Sequence, residues 1–309
     1  MMETYEKVHS VGGWFETSRG LIAVHGREAV QFLNGMVTND VAKLEEGGQF
    51  PAAFPNAQGR LIAVVRVMRE GERFLFETEA ATHEKVFQNL FKFTYAGDFF
   101  VEDLSGGYRY FEIFGRHAVS ASESQERFAG ALMFNAGHGA SVFVPEQGAE
   151  EFVAYLNEGL CLAQVDNELY DVLRIEAGIP KYGVDMDETT IVPELGIKDL
   201  ISYNKGCYIG QEIIARIHFR GHIAKQLIGL SAEAGERLGG DSGGGSLDLS
   251  LTSDEGKSAG RLTSAVWSPT LGRTISLGYV RYDHLAEGTE LNCEWGKMTV
   301  TPLPFVDFD

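Results

Sequence analysis

Short apolar-rich runs, closed by turns that lean on glycine, recur along most of this chain. Residues 50–54 and 61–67 flank Asn56-Ala57-Gln58-Gly59, and 73–78 follows Glu70-Gly71-Glu72. Residues 99–104, 108–114 and 141–144 repeat the pattern, so each is a predicted strand. Thirty-seven glycines stand against 8 prolines. Turn and close-approach geometry therefore rests on residues without a Cβ, as suits many short strands. Helical spacing interrupts the strands over residues 25–41, where Ala29, Val30, Leu33 and Val37 recur and a stop is expected near Gly35. It returns over 82–93 (Val86, Leu90, Phe93), in the 120s and over 150–156. Strands and helices mixed with hairpin-like neighbours predict an α+β fold with mostly antiparallel sheets, not a Rossmann arrangement.

Near residue 224 the character of the chain changes. Short alternating segments at 226–230, 247–251, 262–266, 274–282 and 297–301 surround a glycine–serine run at 238–246, which reads as a long hairpin loop. Strands of this length and spacing predict a small β-barrel or sandwich. The boundary is expected at 222–225, giving residues 1–223 as one region and 224–309 as a second.

Several functions are excluded at the level of pattern. No GxGxxG or GxxxxGK[ST] occurs; Glu255-Gly256-Lys257-Ser258 lacks the upstream glycine a phosphate loop needs. Lys+Arg number 26 against 44 Asp+Glu, a net charge of −18. That argues against nucleic-acid binding through a broad cationic face, though a local pocket for one small anion remains open. Apolar runs such as 61–65 are far shorter than the ~20 residues of a membrane-spanning helix. The first residues have neither a basic nor an apolar leader region, so the expected location is cytoplasmic. Cys161, Cys207 and Cys293 are sparse and form no CxxC pair; neither a disulfide framework nor a complete zinc site is expected.

Residues 198–222 hold the densest chemistry. Asn204-Lys205-Gly206-Cys207 reads as a tight turn, and Gly210-Gln211-Glu212 as the first turn of a helix. A thiol ahead of a helix N-terminus, two residues from a lysine, sits in positive potential that favours thiolate. The competing reading is a small buried hydrophobe in a turn. Cys161, between Leu160 and Leu162, is expected in the core, and Cys293 in a strand. Glu176, among Ile175, Ala177 and Ile179, is a carboxylate in apolar surroundings, which must be paired or hydrogen-bonded. It suits either the paired N–H donors of a flat heterocycle or a partner such as Arg174. Arg216 and Arg220 form a local cationic pair, either a solvated helix face or a cradle for an anionic ligand. His218 and His222 are spaced i, i+4, but no third metal ligand is evident.

These residues resemble a known family. Lys205-Gly206-Cys207-Tyr208-Ile209-Gly210-Gln211-Glu212 resembles the K-G-C-Y-[ITV]-G-Q-E signature of the YgfZ-type folate-binding proteins, relatives of the aminomethyltransferase (T-protein) of the glycine cleavage system. Residues 26–41 resemble the G-x-x-A-x-x-F-L-x-x-x-x-T-N-D-V segment, 171–178 the R-[IL]-E-x-G segment, and 263–279 the T-S-x-x-x-S-P-x-L-G-x-x-I-x-L-G-Y pattern. The resemblance runs from about residue 10 to 305.

It implies interleaved N-terminal and ferredoxin-like middle regions, a C-terminal β-barrel and a tetrahydrofolate site. Glu176 matches the glutamate that pairs with the pterin N–H groups, an acceptor-only fork suited to two parallel donors. Arg216 or Arg220 is then expected at the folate's glutamate tail, and Cys207 with Lys205 as the reactive pair. One departure separates the branches. The aminomethyltransferases carry an aspartate at the end of a segment like N-A-x-x-R-E-K-D; the ungapped counterpart here, residues 79–86, ends in Val86. A valine moves no proton. The resemblance thus implies a cytoplasmic, tetrahydrofolate-binding accessory protein for iron–sulfur cluster assembly or repair, supporting tRNA modification indirectly. Its partners would be a folate and iron–sulfur assembly or client proteins, with no nucleic acid or membrane. The alternatives are a tetrahydrofolate-dependent aminomethyltransferase and a binding module that uses no folate.

Overall fold

The computed structural model describes residues 1–115, 127–238 and 247–308. Most of the helical stretch expected in the 120s and nearly all of the glycine–serine run lie outside the described residues. The chain forms two compact units. The first comprises Met1–Val165, Lys198–Ile213 and Phe308–Asp309, and the second Asp166–Ile197 and Ile214–Asp307.

The first unit begins with α1 (Met2–Ser10), β1 (Gly13–Thr17), β2 (Arg19–His25) and α2 (Ala29–Met36). Then come β3 (Gln49–Pro55), β4 (Leu61–Glu70), β5 (Arg73–Glu79), α3 (Ala80–Phe91), β6 (Phe100–Asp103) and β7 (Tyr108–Phe114). It ends with β8 (Leu132–Ala136), β9 (Gly139–Pro145), α4 (Ala149–Ala154) and β10 (Ala163–Gln164). One sheet has the order β3-β4-β5-β2-β6 and is antiparallel throughout. The other has the order β10-β1-β7-β9-β8, with one parallel pair, β1 with β10. Only Ser18 separates β1 from β2, yet the two strands belong to different sheets. The interleaving implied by the family resemblance is built at that residue.

Period-two alternation assigns the side chains of each strand to opposite layers. Leu21 and Ala23 of β2, with Met68 and Leu75, share an apolar cluster with Tyr110, Leu132, Phe134 and Phe143 of the other sheet. Ile22 and Val24 join Leu33 of α2 and Val86 and Leu90 of α3 in a second cluster. Trp14, Phe111 and Val142 gather with Phe152 of α4. Buried on both faces, β2 reads Leu-Ile-Ala-Val, the tetrapeptide that also opens β4; its partners β5 and β6 are distant in sequence, so no hairpin turn marks it and it is not among the predicted strands.

Buried charge also lies in this unit. The guanidinium of Arg66 on β4 pairs with Glu77 on β5 and donates to Ser141 Oγ at 2.6 Å. Glu112 and His138, both nearly closed to water, pair at 2.8 Å. Burial by itself raises the pKa of Glu112. The hydrogen bond and charge of His138, with the charges of Arg19 and Arg66, outweigh it and hold the carboxyl at about 2.

The second unit holds α5 (Asn167–Glu176), capped by the Asp166 carboxylate accepting from Leu169 N at 2.8 Å. The boundary falls inside α6 (Gln211–Arg220). Beyond it β11 (Lys225–Ser231), β12 (Leu249–Thr252), β13 (Ser258–Ser268), β14 (Arg273–Arg281), β15 (Glu290–Cys293) and β16 (Gly296–Thr301) close a six-stranded barrel. Of the two predicted architectures for this region, barrel and sandwich, the barrel is the one formed. Leu230, Leu251, Leu262, Val280, Leu291, Met298 and Val300 fill it. Residues 166–197, expected with the amino-terminal region, group with the barrel. Arg174 is the link: almost fully buried on α5, it pairs with Asp171 at 2.5 Å and Asp185 at 2.9 Å. Asp185 in turn accepts from the hydroxyls of Thr263 and Ser264 on β13 at 2.6 and 2.7 Å.

A carboxyl whose pKa is lower folded than unfolded stabilises the fold above its unfolded value and loses that contribution as pH falls. For Glu112 the window runs from about pH 4.5 down to about pH 2, and the contribution is about 3 kcal/mol. Urea unfolding of wild type between pH 6 and pH 2.5 is expected to show this loss, and Glu112→Gln to lack it. Parallel curves for the two proteins would remove Glu112 from the acid response.

Candidate functional site

The helix predicted over 25–41 ends at Met36, and Val37 is extended (φ −115°, ψ 161°). Thr38, Asn39 and Asp40 therefore leave the helix with main-chain groups free for partners. The partners come from β3, where Thr38 N donates to Ala53 O at 3.0 Å, and from residues 198–210. Thr38 Oγ1 donates to Leu200 O at 2.6 Å, and Ser202 N donates to Thr38 O at 3.0 Å. Asn39 Nδ2 donates to Asp199 O at 2.8 Å and to Pro51 O at 3.0 Å. Ile209 N donates to Gly35 O at 3.0 Å. Two segments distant in sequence are thereby bonded along their lengths.

Lys205 completes the attachment. Its Nζ donates to Val37 O at 2.8 Å and Asn39 O at 2.5 Å, and it lies 5.2 Å from the centre of the Tyr208 ring. Burial pulls the lysine down to about 8, against an opposing pull from Asp40. At Gly210 φ is +81°, and a Cβ there would stand 2.4 Å from Asn56 O. Only glycine fits a backbone that is both left-handed and in contact with a carbonyl. The loop ends at α6.

Cys207 is exposed on this loop, two residues past Lys205 and ahead of α6. The buried-hydrophobe reading of that residue is therefore incorrect. Cys161, expected in the core, is also exposed; it takes a positive φ of 55°, and its Sγ lies 3.7 Å from Glu158 O. That turn lifts it out of the apolar run around it. Cys293 is half-buried on β15 against the barrel core.

In the second unit Glu176 has 0% exposure, and its Oε1 accepts from Ser268 Oγ at 2.5 Å. Its carbonyl accepts from Phe305 N at 2.8 Å and Val306 N at 3.1 Å. Arg216 and Arg220 are exposed on α6 and make no ion pair among the described residues. The i, i+4 histidine geometry does not form: α6 stops at Arg220, and His222 lies beyond it, stacked on Tyr282 at 4.2 Å. Among the described residues no group of three His, Cys, Asp or Glu is placed to hold a metal. None of their helices is long and apolar enough to cross a membrane.

Sequence reasoning assigned no role to Thr38, Asn39 or Ser268, although each lies in a quoted motif. The available signal was polarity: Thr-Asn-Asp directly after an apolar helical face, and a serine before proline near an apolar strand.

Residues 2–126 match the family model described as the GCVT N-terminal domain, and 225–307 the glycine cleavage T-protein C-terminal barrel domain. A relative from Mycosarcoma maydis named "Iron-sulfur cluster assembly factor IBA57 homolog, mitochondrial" is 27% identical over 230 residues, covering 69% of this chain and only 55% of the relative. An aminomethyltransferase from Rubrobacter xylanophilus is 29% identical over 309 residues, covering 89% of this chain and 78% of the relative. The crystal structure of glycine cleavage system aminomethyltransferase T from Bartonella henselae shares the fold. Its TM-score is 0.84 at 22% identity, over 98% of this chain and 89% of that one.

Lys205→Met keeps an apolar stem but removes the donors to Val37 and Asn39. Hydrogen exchange is expected to quicken by about tenfold or more across 199–210, equivalent to ~1.4 kcal/mol or more of lost local protection, with β2 and β5 unchanged. Equal exchange in both proteins would show that the other bonds suffice.

Proposed function

This chain belongs to the glycine cleavage T-protein family, and from that premise we propose that it is a tetrahydrofolate-binding accessory protein of iron–sulfur cluster assembly or repair, acting through the thiol of Cys207. In this reading it works in the cytoplasm and supports tRNA modification indirectly, through iron–sulfur enzymes. The observation that carries the proposal is an exposed thiol on a loop otherwise bonded down at nearly every turn. Access is what a sulfur needs in order to exchange or to ligate. The N-terminus of α6 and the Lys205 ammonium bring positive potential to the same loop.

The donor set suits a reduced folate in its chemistry. Glu176 is an acceptor-only carboxylate held away from competing water, apt for the N–H edge of a pteridine. Arg216 and Arg220, exposed and without ion-pair partners among the described residues, suit its anionic tail. Glu176 is covered in this conformation, so ligand entry requires its surroundings to part. When bound, tetrahydrofolate supplies one-carbon carrier chemistry. The chain's own part is to orient the ring through Glu176, which Ser268 and the amides of Phe305 and Val306 hold in place.

The second reading, a tetrahydrofolate-dependent aminomethyltransferase, is favoured by the likeness to the Rubrobacter enzyme. It meets an obstacle at Val86, which is fully buried in the cluster that holds Leu33 and Phe76. A side chain there has no proton to give and no charge to offer. The relative named for iron–sulfur cluster assembly supports the first reading.

Calorimetric titration with tetrahydrofolate is expected to show saturable heat in wild type. Glu176→Ala should bind about tenfold to a hundredfold more weakly, the loss for a charge-assisted hydrogen-bonded pair. Cys207→Ser should bind folate with unchanged affinity yet fail to restore iron–sulfur enzyme activity in cells lacking the protein. Full restoration by Cys207→Ser would take the thiol out of the mechanism, and methylenetetrahydrofolate formed from an aminomethyl-lipoyl carrier protein would favour the transferase.

A further inference from the structure

Strand β11 runs out at Ser231 beside the start of β14, where Arg273 is the first residue, and next to Thr299 and Thr301 of β16. These four residues, with Glu233 and Glu287 exposed at the rim, line a cavity of about 570 Å³ within the second unit. Its size falls in the range of small-molecule sites, and the ends of β-barrels are common places for them. The floor is apolar, formed by the buried Ala232 and Val300. One wall carries two hydroxyls bonded to each other, Ser231 Oγ and Thr301 Oγ1 at 2.9 Å.

Arg273 is the anomaly. Its Nε is closed to water and meets no hydrogen-bond acceptor among the described residues, and its guanidinium forms no ion pair there. Arg174, almost fully buried in the same unit, has two carboxylates, whereas Arg273 is half-buried and has none. A buried N–H without an acceptor is unfavourable, and a guanidinium has nothing but donors to offer. An atom closed to water is closed to a ligand as well, so what the cavity can use is the rest of the half-buried guanidinium, which no carboxylate neutralises among the described residues; its planar fork is best suited to a carboxylate. The rim restricts which anion. Glu233 and Glu287 make no ion pair among the described residues, and the nearby Lys297 is bonded to Glu290 at 2.7 Å. Two carboxylates at the mouth repel phosphates and other multiply charged anions, and attract a ligand with a cationic end.

We propose that this cavity binds a small zwitterion of amino-acid to dipeptide size, with its carboxylate on Arg273 and its ammonium near Glu233 and Glu287. The inference is independent of folate and of Cys207.

The test uses the full chain and glycylglycine as probe, followed by amide chemical shifts, with acetate and inorganic phosphate as comparators. Wild type is expected to show saturable shifts confined to residues 231–234, 273, 287 and 299–301. Arg273→Gln should weaken binding at least about tenfold. The double substitution Glu233→Gln with Glu287→Gln should weaken glycylglycine but not acetate. Absence of saturable shifts in wild type, equal affinity in Arg273→Gln, or tighter binding of phosphate would each overturn the proposal. Thermal unfolding gives a ligand-free check. Arg273→Met, which removes the unsatisfied donor and keeps the stem, should melt at or above the wild-type temperature, and a marked fall would make Arg273 a structural residue and overturn the assignment.

Discussion

A single ammonium group bonded to two main-chain carbonyls organises the region around Cys207. Lys205 donates to Val37 and Asn39, the residues at which the chain leaves α2 and turns. Carbonyls released by the end of a helix need donors, and the loop of residues 198–210 provides one that is charged. The lysine loses solvation in doing so, which explains its displacement to about 8. With the lysine tied inward and Tyr208 buried beside it, Cys207 between them is left facing solvent. Exposure of the thiol and the inward placement of the Lys205 ammonium and the Tyr208 ring are two results of one local packing arrangement.

A similar division of labour holds α5. Arg174 and Glu176, two residues apart, both point into a protein interior that tolerates charge only when it is paired. Asp171 and Asp185 answer the first, and Ser268 answers the second. Since Thr263 and Ser264 also bond Asp185, one stretch of β13 serves both charges. The motifs quoted from residues 171–178 and 263–279 are two halves of one hydrogen-bonded arrangement, and the same is true of 35–40 with 198–210.

How much of this was legible in the sequence follows from which interactions are local. Strands flanked by turns, such as β3 to β5 and β7, announce themselves, because short apolar runs and hairpin turns are short-range signals. Strand β2 carries the same Leu-Ile-Ala-Val as β4 but pairs with β5 and β6, distant in sequence, and no turn marks it; β8 was not legible either. The helix over 25–41 is visible, but its end is not: Thr38 and Asn39 stop it by bonding residues more than 150 positions away. Chemistry-bearing residues were easier to find than their partners. Cys207, Lys205 and Glu176 stood out as types in unusual places, whereas Ser268 is an ordinary serine until the fold sets it 2.5 Å from a carboxylate. Cys161 went wrong for a backbone reason, since its apolar neighbours predict burial and its left-handed φ reverses that.

The passage from β1 to β2 through Ser18 has a consequence for how the chain is made. During synthesis β1 emerges before every strand it will pair with, because β7 begins at Tyr108 and β10 at Ala163. Its neighbour β2 can meanwhile be enclosed by β5 and β6, completing one sheet as soon as Asp103 is available. Nascent chains therefore carry an orphan apolar ribbon next to finished structure, the kind of unpaired edge that invites aggregation or chaperone capture.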